Sequence, residues 1–278
     1  MSYRTIAVHV DQARHMPARL QCAARLAQTQ QAHLIGVAMT GISRFAYAGP
    51  AGGHAGAVLQ AGLATLSEHA NSALAAFADV AGALHLSHES RLVEDEPEGG
   101  LIQQACYADL LVVSQPDPTE RLPNLVADLP GYVMLNSGRP LLILPYASAC
   151  TSLDRHALVA WDGSIGATRA LAFAIPLLKQ ARQVTLTVYN PAPPQGRHEA
   201  PSGVDVASYL ARHGVAVMLA VQPTVPDIGA ALLSQAATLD ADLLVMGGYG
   251  HTHWHEALLG GVSRTILGNM TLPVLMAH

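Results

Sequence analysis

An internal repeat constrains the fold of this chain more than any other feature of its sequence. The segment Ala108–Val113 (ADLLVV) returns 133 residues later as Ala241–Met246 (ADLLVM). Upstream, Thr5–Asp11 aligns with His156–Asp162 at an offset of 151. Repeats of this kind indicate that one structural unit occurs twice. The difference of 18 residues between the offsets predicts an insertion in the first copy, at about 40–56, followed by a lengthened helix.

Each copy alternates short apolar runs with helical stretches. Continuously apolar strands separated by helices predict a parallel sheet that is covered on both faces. We therefore expect an α/β fold of two Rossmann-like, doubly wound, five-stranded parallel sheets in tandem, with domains at 1–147 and 153–278. The predicted strands are 5–10, 33–39, 84–93, 110–113, 141–144, 157–161, 183–189, 216–222, 243–246 and 274–276.

Composition excludes several classes of function. The net charge is −5, only 13% of the residues are charged, and no run of Lys or Arg occurs, so we expect neither nucleic-acid nor membrane binding. The N-terminus enters a strand pattern without a signal peptide. The three cysteines, Cys22, Cys106 and Cys150, show no CxxC spacing. These features predict a cytoplasmic protein with reduced thiols.

Two segments of the second copy follow strands whose carboxyl ends flank the expected ligand crevice. Asp162-Gly163-Ser164 follows the first strand, where Asp162 can bind a ribose or amino group and Ser164 can cap the next helix. Gly247, Gly250, Gly260 and Gly261 follow the fourth strand. Backbone N–H groups of such a turn, with a helix N-terminus, can hold an anion, although glycines in a plain loop are the alternative.

These motifs resemble those of the universal stress protein family. The likeness rests on Asp162-Gly163-Ser164, the spacing Gly247-x2-Gly250-x9-Gly260 after the fourth strand, and Pro273-Val274-Leu275 near the end, and it covers both halves. The resemblance implies strand order 3-2-1-4-5, pairing of domains through their last strands, and a role in stress survival. It implies ATP or AMP binding, with adenine and ribose near Ala160, Asp162, Val188 and Met246, and phosphates at Gly247, Gly250, Gly260, Gly261, Val262 and Ser263.

One position departs from the family's ATP-binding pattern. The residue after the last glycine of that pattern is Ser or Thr, whereas this chain has Gly261. Losing one hydrogen bond to a charged group costs roughly 1.5–3 kcal/mol, a ten- to hundredfold loss of affinity. We therefore expect weakened nucleotide binding, with Mg²⁺ accompanying ATP, unless Arg264 turns inward to compensate.

The first copy departs further. At the same offset the four glycines correspond to Ser114, Asp117, Ala127 and Asp128. Carboxylates repel phosphate, and the neighbouring prolines remove N–H donors. The first copy is therefore expected to have lost the nucleotide site and to serve in packing, with a different pocket under the insertion.

Three histidines lie between the glycine pairs. His251 and His255 have the spacing that places two imidazoles on one helix face, and His253 lies between them. This predicts a Zn²⁺ site as one interpretation. The alternative is an exposed polar loop, since the chain has 14 histidines and no cysteine is nearby.

The sequence thus favours a stress-response protein that binds an adenine nucleotide in its C-terminal domain as a regulatory ligand, and that forms a homodimer. Three alternatives stay open. The protein can be a slow ATP hydrolase using Asp162 and His251 with Mg²⁺, a metal-binding protein using the histidine loop, or a ligand-free interaction scaffold.

Overall fold

The structure is a computed structural model that describes residues 2–43, 54–120, 128–147, 152–190, 203–223, 225–249 and 261–278. The chain divides into two compact units, an N-terminal unit of Ser2–Arg139 and a C-terminal unit of Pro140–His278. Within the described part of the chain, no helix combines the length and the apolar character that crossing a membrane requires.

The N-terminal unit is a parallel sheet with helices between its strands. The sheet order is β3-β2-β1-β4, as the family resemblance implied for these strands. Its elements are β1 Thr5–His9, α1 Met16–Gln30, β2 His33–Met39, α2 His54–Ala83, β3 His88–Val93, α3 Pro97–Ala105, β4 Leu110–Ser114 and α4 Leu129–Ser137.

The C-terminal unit repeats this plan and has two further strands, β5 and β10. Its order is β5-β10-β9-β6-β7-β8, which contains the expected 3-2-1-4-5 arrangement. The added strand β5 is antiparallel to β10, so it satisfies the backbone groups along that edge. The elements are β5 Leu141–Leu144, β6 His156–Ala160, α5 Ile165–Leu178, β7 Gln183–Asn190, α6 Gly203–Arg212, β8 Met218–Pro223, α7 Ile228–Thr238, β9 Leu243–Gly247, α8 Gly261–Asn269 and β10 Val274–Ala277.

The aspartate of the repeated ADLL motif sets the register of the central strands in both units. Asp109 Oδ2 accepts the N–H groups of Arg4 and Thr5 at 2.7 and 3.0 Å. Asp242 accepts those of Arg155 and His156, both at 3.0 Å, through its two oxygens. Each carboxylate thus joins the start of one central strand to the start of its neighbour, and this fixes which residues face each other at the opposite ends.

The central strands are buried along their length, as their apolar sequences predict. All five residues of β4 are buried, as are the first four of β9. Helix α2 is much longer than its counterpart α6, in line with the lengthened helix expected after the insertion. It packs closely on the sheet because Gly36 of β2 has no Cβ, and a Cβ there would lie 2.5 Å from the Phe77 ring.

Two threonines on β7 differ in how their buried hydroxyls are satisfied. Thr185 is 2% exposed and its Oγ1 lies 2.8 Å from His156 Nε2. Thr187 is fully buried, and its Oγ1 has no hydrogen-bond partner among the residues that the structure describes. A buried hydroxyl without a partner loses its hydrogen bonds to water and gains none in the protein, so it destabilises the folded state.

We predict that Thr187→Val raises the free energy of unfolding by about 1 kcal/mol, since it removes an unsatisfied group and keeps the shape. The matched change Thr185→Val should lower it by about 1–2 kcal/mol. Urea unfolding followed by tryptophan fluorescence measures both, because Trp161 lies in this unit. Equal effects of the two substitutions on the free energy of unfolding would contradict the conclusion that the Thr185 hydroxyl is hydrogen-bonded and the Thr187 hydroxyl is not.

Candidate functional site

The carboxyl ends of β6 and β9 form the edge of the sheet at which the sequence predicts a ligand-binding site. The two strands are parallel neighbours, with Ala157 opposite Leu243 and Val159 opposite Val245. Ala160, the last residue of β6, is therefore level with Met246 of β9, and Asp162 lies two residues beyond the end of β6. On the other side, Ala160 is paired with Thr187 of β7, the residue before Val188. The predicted residues of β6, β7 and β9 thus come together along one edge.

The turn after β6 is built by its own side chains. Asp162 Oδ1 accepts the Ser164 N–H at 2.9 Å, and Ser164 Oγ accepts the Ala167 N–H at 3.0 Å. Gly163 has φ of 77°, a conformation that glycine adopts without strain. Ser164 therefore caps helix α5, as one interpretation of the sequence expected, while the Asp162 side chain is exposed.

Gly247 is required for packing. A Cβ on Gly247 would lie 2.4 Å from the Ala167 nitrogen. Gly166 in the same turn is similarly confined, with a Cβ 3.1 Å from the Ala277 carbonyl oxygen and 3.2 Å from that of Gly248. Helix α5 thus begins in direct backbone contact with the end of β9. This contact explains why a glycine is needed at position 247, whether or not a ligand binds there.

The next backbone donors are used within the protein. The Gly248 N–H donates to the Ala277 carbonyl at 2.9 Å. The Tyr249 N–H donates to Ser263 Oγ at 3.2 Å, and Ser263 is only 4% exposed. Ser263 therefore joins the turn after β9 to the first turn of α8. Ser263 is one of the residues that the sequence predicts at the phosphates, and its hydroxyl oxygen accepts a hydrogen bond within this turn.

The first turn of α8 carries the remaining predicted donors. Gly261 and Val262 are its first two residues, and the first N–H groups of any helix have no partner within it. A Cβ on Gly261 would meet no atom of the described residues within 4 Å. Arg264 is exposed. Gly250, Gly260 and the predicted metal ligands His251, His253 and His255 lie outside the described residues.

The predicted adenine-side residues are partly covered. Ala160 and Val188 are half-buried, and Met246 is 5% exposed. A Cβ on Gly203 of α6 would lie 3.0 Å from Val188 Cγ2, so Val188 packs against that helix. These side chains offer apolar contacts beside Asp162.

The N-terminal unit holds a polar cluster at the equivalent edge that sequence reasoning missed. Arg19 of α1 is 1% exposed. Its Nε donates to the His9 carbonyl at 2.8 Å, and its two terminal nitrogens donate to Ser114 Oγ at 2.9 Å and Asp11 Oδ1 at 2.7 Å. One charged side chain thus joins β1, α1 and β4. The one sequence feature that could have indicated this cluster is an arginine between Ala18 and Leu20 on the buried face of a helix.

The same cluster perturbs three ionisable groups. Burial favours the neutral form of Asp11, but Arg19, His9 and the Ala13 N–H outweigh it and lower the pKa of Asp11 to about 2. Burial lowers the pKa of His9 to about 4, with Asp11 opposing and Arg19 adding to the effect. Burial, followed by Arg19, also lowers the pKa of His15. Near neutral pH the ion pair is therefore charged and both histidines are neutral.

A cavity of about 590 Å³ lies beside this cluster, within the N-terminal unit. It is bounded by the ends of β1 and β4, by the start of α1 and by helix α2, with His9, Asp11, His15, Leu66, Ala70 and Ser114 among its lining residues. The residues that replace the glycine turn have local roles nearby. Asp117 Oδ1 accepts from the Thr119 N–H and hydroxyl, and Asp128 caps α4 by accepting the Gly131 N–H.

We predict that Gly247→Ala lowers the free energy of unfolding by about 2–3 kcal/mol, because the new methyl group collides with the backbone of α5. Gly261→Ala should change it by less than about 0.5 kcal/mol, because its Cβ would contact no atom of the described residues within 4 Å. Urea unfolding of the full chain compares them. A cost for Gly261→Ala as large as that for Gly247→Ala would show that this account of the glycines is wrong.

We predict that the N-terminal unit loses stability as the pH falls from 6.5 towards 4. Below pH 6.5 the unfolded chain binds a proton at His9 that the folded state takes up only near pH 4, so protonation favours unfolding. The loss should be roughly 2–3 kcal/mol, with His15 contributing in the same direction. Urea unfolding by circular dichroism across this range should show a shallower pH slope for His9→Asn. An unchanged pH slope in this variant would show that protonation of His9 is not the cause of the loss of stability.

Comparisons with known proteins agree with this architecture. A family model described as the universal stress protein family matches residues 155–278. No curated protein matches the chain. Among solved structures, the chain is similar to a universal stress protein from Archaeoglobus fulgidus DSM 4304, with 15% identity, a TM-score of 0.75, and 98% of this chain and 95% of that chain covered.

Two further structures are similar over the same span. A putative universal stress protein from Pseudomonas aeruginosa UCBPP-PA14 is 15% identical, with a TM-score of 0.64 over 98% of this chain and 92% of that one. A functionally unknown protein from Pseudomonas aeruginosa PAO1 is 16% identical, with a TM-score of 0.60 over the same shares. At these identities the structures show the fold, and the family model identifies the C-terminal repeat. The family model therefore matches the C-terminal repeat, residues 155–278, to the universal stress protein family, and the solved structures show that the α/β fold of such proteins extends over both repeats.

Proposed function

We propose that the C-terminal unit binds an adenine nucleotide, ATP or AMP, at the carboxyl ends of β6 and β9, and that this ligand regulates a cytoplasmic stress-response protein. The observation that carries the proposal is the hydrogen bond from the Tyr249 N–H to Ser263 Oγ. It holds the N-terminus of α8 at the end of β9, beside the Asp162 turn. Helix N-termini at this point of a doubly wound sheet favour phosphate groups.

Each predicted residue then has a defined task. The N–H groups of Gly261 and Val262 would meet phosphate oxygens, and the exposed Asp162 carboxylate would accept ribose or adenine donors. Ala160, Val188 and Met246 would contact the apolar faces of the nucleoside. The Gly248 and Tyr249 N–H groups already donate within the protein, so fewer backbone donors are left for phosphate. This supports weak binding, with Mg²⁺ balancing the charge of ATP.

Gly261 is the position at which affinity should respond most. We predict that Gly261→Ser tightens ATP binding by about tenfold or more, because it adds a hydroxyl donor where the Cβ meets nothing within 4 Å. Asp162→Ala should weaken binding by about tenfold. Isothermal titration calorimetry of the full chain with ATP and AMP, with and without Mg²⁺, measures these affinities.

Gly268→Ser is the matched control, since Gly268 lies at the other end of α8 and its Cβ also meets nothing within 4 Å. If Gly261→Ser and Gly268→Ser leave ATP affinity equally unchanged, the phosphates do not lie at the α8 N-terminus. The absence of any adenine nucleotide released on denaturation, together with no binding at millimolar ATP, would contradict the whole proposal. The same samples also test the alternative functions. Phosphate release tests ATP hydrolysis, metal content tests metal binding, and sedimentation as a homodimer without bound ligand tests an interaction scaffold.

A further inference from the structure

The cavity of the N-terminal unit lies where a nucleotide would be expected, yet its chemistry differs from that of a phosphate site. Its volume of about 590 Å³ is within the range of small-molecule pockets. Helix α2 contributes an apolar wall that includes Leu66, Ala70 and Ala73. The insertion-bearing copy therefore encloses this space with a helix that, at this length, the other copy does not have.

The charges of the lining are already paired. Arg19 is 1% exposed, and all three of its guanidinium nitrogens donate to partners within the unit, one of them to the Asp11 carboxylate. Among the described lining residues there is no other Lys or Arg. Arg19 is thus held as a structural cation, and an entering anion would meet no cation that is available to it.

One polar pair at the cavity is unsatisfied. His15 lines the cavity, and its Nδ1 lies 3.9 Å from Glu120 Oε2. The two side chains are only 10% and 9% exposed, and neither atom has a hydrogen-bond partner within the described part of the chain. The other Glu120 oxygen accepts the Arg14 N–H at 3.0 Å. The 3.9 Å between the carboxylate oxygen and the imidazole nitrogen is too long for a hydrogen bond in either tautomer of His15, and leaving both atoms buried and unpaired is costly.

We propose that this cavity binds a small molecule with an apolar body and a cationic or neutral hydrogen-donor group, such as an amine or a hydroxyl, and that it rejects anions. The donor group hydrogen-bonds His15, which lines the cavity in front of Glu120, and the body lies against α2. The Asp11 carboxylate and Pro116, which has no N–H to offer, line the cavity and add to the exclusion of phosphate. The proposal does not depend on nucleotide binding by the C-terminal unit.

The test uses three probes that share one aromatic body. These are 2-(2-naphthyl)ethylamine, 2-(2-naphthyl)ethanol and 2-naphthylacetate, titrated into the full chain at pH 7.5 by calorimetry and ligand-observed NMR. The amine and the alcohol should compete for one site, and the acetate should bind at least about tenfold more weakly. Binding of the acetate as tight as that of the amine would overturn the proposal, as would failure of all three to bind at millimolar concentration.

Two glycines of α2 offer a matched pair for locating the site. A Cβ on Gly62 or on Gly82 would meet nothing within 4 Å, but only Gly62 lines the cavity. Gly62→Trp should therefore weaken amine binding by at least about tenfold, and Gly82→Trp should leave it within about twofold. Equal effects would place the probe elsewhere and overturn the assignment.

His15→Phe tests the polar contact separately from the space. It should reduce the preference for the amine over the acetate by about tenfold while keeping the apolar wall. A preference that stays unchanged would show that the donor group lies away from His15. ATP titrations of the same variants report the C-terminal unit, so failure of one proposal is distinguishable from failure of the other.

Discussion

The repeated aspartate of the ADLL motif is the interaction on which the rest of the structure depends. Asp109 and Asp242 each accept two backbone N–H groups at the start of the neighbouring strand. Because parallel strands advance in step, fixing their amino ends also fixes which residues meet at their carboxyl ends. Both candidate sites lie at those carboxyl ends. The motif is therefore retained in both copies although the turns that follow the strands have diverged.

The two copies use the same edge in different ways. In the C-terminal unit the edge is kept by backbone contacts, with Gly247 against the α5 backbone and Tyr249 tied to Ser263. In the N-terminal unit a buried arginine takes this role and joins three elements through side chains. In the C-terminal unit the packing is between backbone atoms, so the first N–H groups of α8 remain able to bind an anion. In the N-terminal unit the charges of Arg19 and Asp11 neutralise each other within the protein. This difference is the physical basis of the opposite ligand preferences that we propose for the two edges.

Much of the fold follows from sequence because its signals are local and repeated. Continuous apolar runs predicted the parallel strands, and Ser164 predicted the start of α5. Other features needed the structure. Whether Gly247 serves a ligand or a helix depends on its distance to Ala167, which no local pattern encodes. The Arg19 cluster joins residues separated by up to 95 positions, and a single buried arginine in an Ala- and Leu-rich helix gives little sign of its partners.

The Arg19 cluster also explains why glycines alone would not restore a phosphate site in the N-terminal unit. Replacing Asp117 and Asp128 with glycine would remove two carboxylates, but Asp11 would remain ionised beside the cavity because Arg19 lowers its pKa. Removing Asp11 in turn would leave Arg19 buried without its counter-ion, which is strongly destabilising. The ion pair and the glycine turn are therefore alternative solutions, and exchanging one for the other requires coordinated changes on β1, α1 and β4.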